Sequence, residues 1–221
     1  MILLNCCTLR GQSISYPHCM KKILLLFLPF LLSLNAIAQD SALDFFQSGN
    51  KKFKAGKYSE AIKDYNEVLK LEPEHVVTLT NRGIAKDRLL DYRGAIEDFT
   101  KAIALDPKHL EAWTSRALSK YNLTDYQGAL ADYNKAVDLD QKQAKIYNNR
   151  GLARYALKDY RGALIDYNRA VTINPKYAEA LYNRGATKYN LDDKAGACAD
   201  WTKAKTLGVK EAEQYLKNYC K

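Results

Sequence analysis

The chain has 221 residues, 27% of them charged and 47% hydrophobic, with a formal net charge of +9. These proportions fit a globular protein and exclude a disordered polyelectrolyte. Basic and acidic residues are mixed along the whole length instead of gathering in one stripe, which argues against nucleic acid as a partner.

The first recognisable element is a run near the N-terminus. Met20-Lys21-Lys22 is basic, residues 23–34 are apolar except for Pro29 and Ser33, and Ala36-Ile37-Ala38 has the small residues of a cleavage site. Together these parts predict a secretory signal peptide over residues 1–38, cut after Ala38; the apolar stretch is shorter than the roughly 20 residues of a membrane span. Residues 1–19 read as an over-extended gene start, since Met20 is a natural initiator; the alternative is that residues 1–38 stay as an N-terminal anchor. Cleavage removes Arg10, Lys21 and Lys22 with no acid among them, lowering the net charge from +9 to +6. Cys6, Cys7 and Cys19 leave with the signal. Cys198 and Cys220 remain and can form a disulfide in an oxidising compartment, the alternative being two free thiols. The expected location is therefore the periplasm or the exterior, with a bacterial envelope the setting and no membrane span after cleavage.

After a short linker, residues 39–41, one 34-residue pattern repeats five times: 42–75, 76–109, 110–143, 144–177 and 178–209. Ala61, Ala95, Ala129, Ala163 and Ala197 form one column, each followed four residues later by Tyr65, Phe99, Tyr133, Tyr167 or Trp201. Within a copy, two apolar-periodic segments of helical spacing are split by a short turn, such as Lys158-Asp159, which predicts a helix-turn-helix unit. Pro73, Pro107 and Pro175 close the second helix in three copies, and Gln141 replaces the proline in another. Gly49, Gly83, Ala117, Gly151 and Gly185 form a small-residue column on the first helix, where helix axes can approach closely. One such hairpin cannot bury its own apolar face, so the copies must stack, and residues 210–221 read as a capping helix.

Trp113, Ala117, Tyr126, Ala129, Tyr133 and Ala136 follow in order the pattern of a tetratricopeptide repeat, and the chain resembles that family over nearly all of the exported part. The resemblance implies an all-α, right-handed superhelical solenoid of five repeats plus the cap. It also implies a non-catalytic protein–protein interaction module whose first helices line a concave groove. Carried over position by position, the groove candidates are Phe46, Asn50, Phe53, Leu118, Tyr121, Asn148, Leu152, Tyr155, Tyr182, Tyr189 and Asn190. Tyrosine and asparagine suit an extended peptide, although the same tyrosines could equally pack between hairpins. Asp87 interrupts the aromatic column in the second repeat. The carboxylate clamp with which some members hold acidic chaperone tails is not matched: Asn50 and Asn81 fit, but Phe46, Glu111 and Ser115 stand where cations belong.

Two charged columns run through the repeats, Arg82, Arg116, Arg150 and Arg184 on the first helices and Asp64, Asp98, Asp132, Asp166 and Asp200 on the second. Repeat one has Ser48 where an arginine would stand. That offset predicts that each arginine reaches back to the preceding repeat, pairing Arg82 with Asp64, Arg116 with Asp98, Arg150 with Asp132 and Arg184 with Asp166. No catalytic or cofactor motif appears, and His75 and His109 lack partners at metal-ligand spacing. Asn122-Leu123-Thr124 fits a glycosylation acceptor, relevant only in a eukaryotic secretory route. The reading reached is an interaction scaffold of the cell envelope that binds a peptide or partner protein in its groove; the alternative is a structural subunit using its convex face or ends.

Overall fold

A computed structural model describes residues 41–220, all of whose regular elements are helices. The expected signal peptide, residues 1–38, falls outside them. In chain order the helices are α1 (41–54), α2 (Tyr58–Leu71), α3 (Val76–Arg88), α4 (Tyr92–Leu105), α5 (Leu110–Asn122) and α6 (Tyr126–Leu139). There follow α7 (Ala144–Ala156), α8 (Tyr160–Ile173), α9 (Ala178–Asn190), α10 (Lys194–Thr206) and α11 (Glu211–Tyr219). Each pair α1/α2 to α9/α10 is one hairpin of the solenoid, and α11 packs on α10 as its cap. The first helices also touch one another, α3 with α5, α5 with α7 and α7 with α9, so they form the inner wall.

The hairpin closes on the two small-residue columns. Ala61, Ala95, Ala129, Ala163 and Ala197 are fully buried, and so are the rings one turn later, from Tyr65 to Trp201. Each ring lies against the small residue sixteen positions earlier: a Cβ built on Gly83 would stand 2.6 Å from Phe99, and one on Gly151 would stand 2.7 Å from Tyr167. Burying such a ring stabilises the hairpin by about 1.5–3 kcal/mol, and a methyl at these glycines would have to displace it.

Local signals set the helix ends. The carboxylates of Asp91, Asp125, Asp159 and Asp193 each accept the backbone N–H three residues on, at Gly94, Gly128, Gly162 and Gly196, over 2.9–3.0 Å. The first repeat has Lys57 at this place and no side-chain cap. The residue before each capping aspartate is left-handed: Leu90, Thr124, Lys158 and Asp192 have φ of 62–65°. At the other end, α6 stops at Leu139 without a proline. Asp140 accepts the backbone N–H of Lys142 at 2.8 Å, as Asp106 does from Lys108 and Asn174 from Lys176. The proline therefore reinforces a stop that an Asp or Asn side chain already makes.

The ion pairs differ from the predicted ones. Each arginine forks onto the aspartate of its own repeat: Arg82 Nε and Nη2 to Asp98 at 2.8 and 2.6 Å, Arg116 to Asp132 at 2.8 and 2.8 Å, Arg184 to Asp200 at 2.8 and 2.6 Å. Arg150 grips Asp166 in the same way. The pairs Arg82–Asp64, Arg116–Asp98, Arg150–Asp132 and Arg184–Asp166 do not form. The reason is the sixteen-residue register of the hairpin, which brings arginine opposite aspartate just as it brings glycine opposite the ring. The reach backwards is real but weaker: the Nη1 of each arginine donates to a neutral oxygen of the preceding repeat, at Asn66, Thr100, Asn134 or Asn168. A second cation per repeat, one turn after the arginine position, binds the same carboxylate: Lys86, Lys120, Arg154 and Lys188, each at 2.8 Å. In repeat one, among the described residues, Lys52 alone holds Asp64, at 2.7 Å.

Candidate functional site

The inner wall carries a cleft where α3, α5 and α7 meet. It consists of two hollows of about 400 and 260 Å³ that share Glu111, Ser115, Leu118 and Lys145. Tyr133 and Phe99, the buried rings of the hairpins behind, form its floor, and Asp87 and Arg88 stand at one end. Charge of both signs and small hydroxyls, set among Ile84, Leu110, Leu118 and Ile146, make this a surface for an extended chain of mixed polarity rather than a purely apolar ligand. The Asp87 that interrupts the aromatic column accepts a hydrogen bond from Ser119 Oγ at 2.6 Å, tying α3 to α5 where other repeats place a ring.

The eleven sequence-derived groove candidates separate into three groups. Leu118, 41% exposed, lies in the central cleft. Leu152, Tyr155 and Tyr182 line a smaller cleft of about 170 Å³ between α7 and α9, closed on one side by Tyr215 of the cap. The others are engaged by their neighbours. Phe46 meets the His75 ring edge-on at 5.3 Å; Phe53 meets Tyr58 at 5.3 Å and Tyr121 meets Tyr126 at 5.1 Å, both edge-on across the hairpin turn. Tyr155 repeats that contact with Tyr160 at 5.2 Å while accepting a hydrogen bond from Asn190 at 2.9 Å. Asn50 accepts from Tyr65 and Asn81, and Asn148 accepts from Asn183. Tyr189 belongs to an aromatic cluster with Trp201 and Tyr219 at the capped end.

Burial shapes the titration of this wall. It pushes the phenols of Tyr121 and Tyr155 above their ordinary value, against a lowering hydrogen bond from Asn190 at the latter. Tyr65, desolvated although hydrogen-bonded by Asn81, is pushed up to about 12. None of these groups is an acid–base catalyst near neutral pH. Among the described residues no group of three or more His, Cys, Asp or Glu side chains is placed to hold a metal ion, and no helix is long and apolar enough to cross a membrane.

Lys145 and Asn149, which line the central cleft, were not singled out in the sequence, and Ser115 was named only as a mismatch to the clamp. A signal was present: Asn81, Ser115, Asn149 and Asn183 form a column directly before the arginines, and small polar side chains at one position of every repeat mark a shared inner surface. Cys198 and Cys220 lie with Sγ atoms 2.01 Å apart and Cα atoms 5.7 Å apart, joining α10 to the end of α11.

The architecture and its column pattern have counterparts among known proteins. Sequence profiles described as tetratricopeptide repeat match residues 46–75 and 78–109, and profiles described as TPR repeat match 121–158 and 151–192. A search of curated protein sequences finds no match. Among solved structures, MamA from Desulfovibrio magneticus RS-1 is similar in fold, with a TM-score of 0.73, 24% identity, and coverage of 76% of this chain and 95% of that one. YrrB, described as a TPR protein with an unusual peptide-binding site, has a TM-score of 0.69 at 18% identity, covering 80% of this chain and 91% of its own. The first TPR domain of Spaghetti (RPAP3), solved with the HSP90 peptide SRMEEVD, is 31% identical over 54% of this chain and 94% of that one, with a TM-score of 0.53. With more than half of its residues matched by these profiles and five hairpins built on the same columns, the chain belongs to the tetratricopeptide repeat family.

Proposed function

We propose that this protein is an exported, non-catalytic scaffold that holds a peptide segment of a partner protein in the cleft formed by α3, α5 and α7. The observation that carries this reading is the continuity of the two central hollows across three repeats, with charged and hydroxyl side chains free of the aromatic packing that occupies the rest of the inner wall. Peptide binding is also what the descriptions of YrrB and of the RPAP3 domain have in common. The peptide differs in kind from an acidic chaperone tail. Glu111 stands inside the cleft, and Asn50 is occupied by Asn81 and Tyr65, so a carboxylate clamp has neither its cations nor a free asparagine.

The proposed setting is the cell envelope, supported by the signal-like residues 20–38 and by the placement of Cys198 and Cys220 within bonding distance. Export delivers the chain to a compartment where that bond forms, and the bond then fixes the cap that closes the solenoid. A photo-crosslinking residue placed at Leu118 in the inner cleft, or at Ile165 on the outer face of α8, tests the reading in the native host. A discrete adduct at Leu118 that disappears with Ser115→Trp, which fills the hollow, is the expected result. Adducts at Ile165 with none at Leu118 would replace the groove reading with that of a structural subunit working through its convex face.

A further inference from the structure

We infer that the smaller cleft between α7, α9 and the cap is a subsite for one phenolic side chain, a tyrosine presented by the bound peptide. This rests on the reading of the inner wall as a peptide-binding surface. It is carried by a comparison of two equivalent tyrosines. The hydroxyl of Tyr65 donates to Asn50 at 2.8 Å. Tyr167 is fully buried, yet its hydroxyl has no hydrogen-bond partner among the described residues. The place of Asn50 is taken in this hairpin by Leu152, which cannot accept, and Asn183 donates to Asn148 at 3.1 Å. A buried polar atom left unpaired is costly and uncommon, and where it faces a cleft it marks a place where a ligand atom completes the pairing.

The rest of the cleft defines that ligand. The ring of Tyr167 passes along Gly151, with its hydroxyl-bearing carbon 2.9 Å from where a Cβ would stand, and ends among Leu152, Tyr155, Tyr182, Ala186 and Tyr215. Apart from Asn183, whose amide is engaged by Asn148, these walls are apolar or aromatic, and none carries a charge, unlike the central cleft with its Glu111 and Lys145. The volume of about 170 Å³ is smaller than a typical small-molecule pocket and suits one side chain. A leucine or phenylalanine would fill the space and leave the Tyr167 hydroxyl unpaired. A charged side chain would lose its hydration with no countercharge. A phenol fits both halves: its ring meets the tyrosine walls in edge-on contact, and its hydroxyl can donate to or accept from Tyr167.

The test uses p-cresol, the tyrosine side-chain analogue, and toluene as probes of the full chain, with binding followed by NMR at the methyl groups of Leu152 and Ala186. The expected result is saturable binding of p-cresol about two- to tenfold tighter than toluene, a preference that vanishes in Tyr167→Phe. Tyr167→Phe should leave the unfolding midpoint unchanged or raised, whereas Tyr65→Phe, which breaks a satisfied pair, should lower it. Should Tyr167→Phe fail to fold, Ala186→Met fills the cleft without touching the hydroxyl and should weaken p-cresol at least tenfold. A cresol preference that survives Tyr167→Phe, a midpoint that falls as far as in Tyr65→Phe, or no saturable shift at all would each overturn the subsite. Adducts at Leu118 alongside such a failure would leave the groove reading intact, so the two ideas fail separately.

Discussion

The pairing of Arg116 gives the sharpest test of how the hairpins are held together. Its guanidinium makes two charge-assisted bonds to Asp132, both 2.8 Å, with side chains 13% and 4% exposed, and Lys120 adds a third contact. Removing the charge by Asp132→Asn leaves Arg116 and Lys120 facing each other in a largely buried place, which should cost about 3 kcal/mol. In a double-mutant cycle of Arg116→Gln with Asp132→Asn, the coupling should be about 2 kcal/mol, since the pair is desolvated and forked but Lys120 remains as a substitute partner. The same cycle with Asp98→Asn should give less than about 0.5 kcal/mol, the value expected of residues that share no bond. Urea unfolding followed by circular dichroism measures each corner. Hydrogen exchange of the Ala129–Tyr133 amides supplies a local reading if a repeat array unfolds in more than one step. A coupling with Asp98 as large as that with Asp132 would refute the sixteen-residue register.

Three further outcomes follow from the packing. Reducing the Cys198–Cys220 bond, which closes a separation of 22 residues, should cost about 3 kcal/mol at the capped end and raise the solvent access of Trp201, read as a fluorescence shift. Gly83→Ala should destabilise by about 1–3 kcal/mol, because its Cβ meets Phe99 at 2.6 Å; an unchanged midpoint would show that the ring can make room for a methyl, as the hairpin holding Ala117 and Tyr133, both buried, accommodates one. Alkali should unfold the solenoid through its tyrosines. The fold keeps Tyr65 protonated up to about 12, while the unfolded chain releases that proton near 10.0, so stability is full below pH 10 and falls between pH 10 and 12. Tyr133 and Tyr167, raised further by deeper burial, steepen the loss, which tyrosinate absorbance and circular dichroism should report together.

The repeat was fully legible in the sequence because its columns obey one period, and a helix that must bury Ala95 and Phe99 on one face has few other options. Partner choice inside that period was not. Arg116 stands in the same column pattern whether it reaches Asp98 or Asp132, and the offset of Ser48 suggested the wrong one. The sixteen-residue register that decides between them depends on the length of the turn inside each hairpin, and in the turn between α5 and α6 Thr124 adopts a left-handed conformation that its residue type does not announce. The groove was partly legible. Leu118 lies in the central cleft, but Phe53, Tyr121 and Tyr155 each spend a ring edge on the tyrosine five residues on, and ring orientation is not written in spacing. Lys86 and its counterparts escaped notice because lysine on an exposed-looking helix face normally means solvent.

The two ends of the array are built to different standards, and this gives the molecule a direction. Repeat one has no arginine fork, holds Asp64 with a single lysine, and starts α2 without a side-chain cap, while the last hairpin is joined to α11 through Cys198 and Cys220 and packed with five aromatic rings. Opening therefore begins at the N-terminal end and runs towards the C-terminal end, like a zip with one stop. A pull or a protease acting on the N-terminal side meets the least resistance there and progressively more afterwards, so the C-terminal hairpins and their tyrosine-lined cleft outlast the hairpin that precedes them.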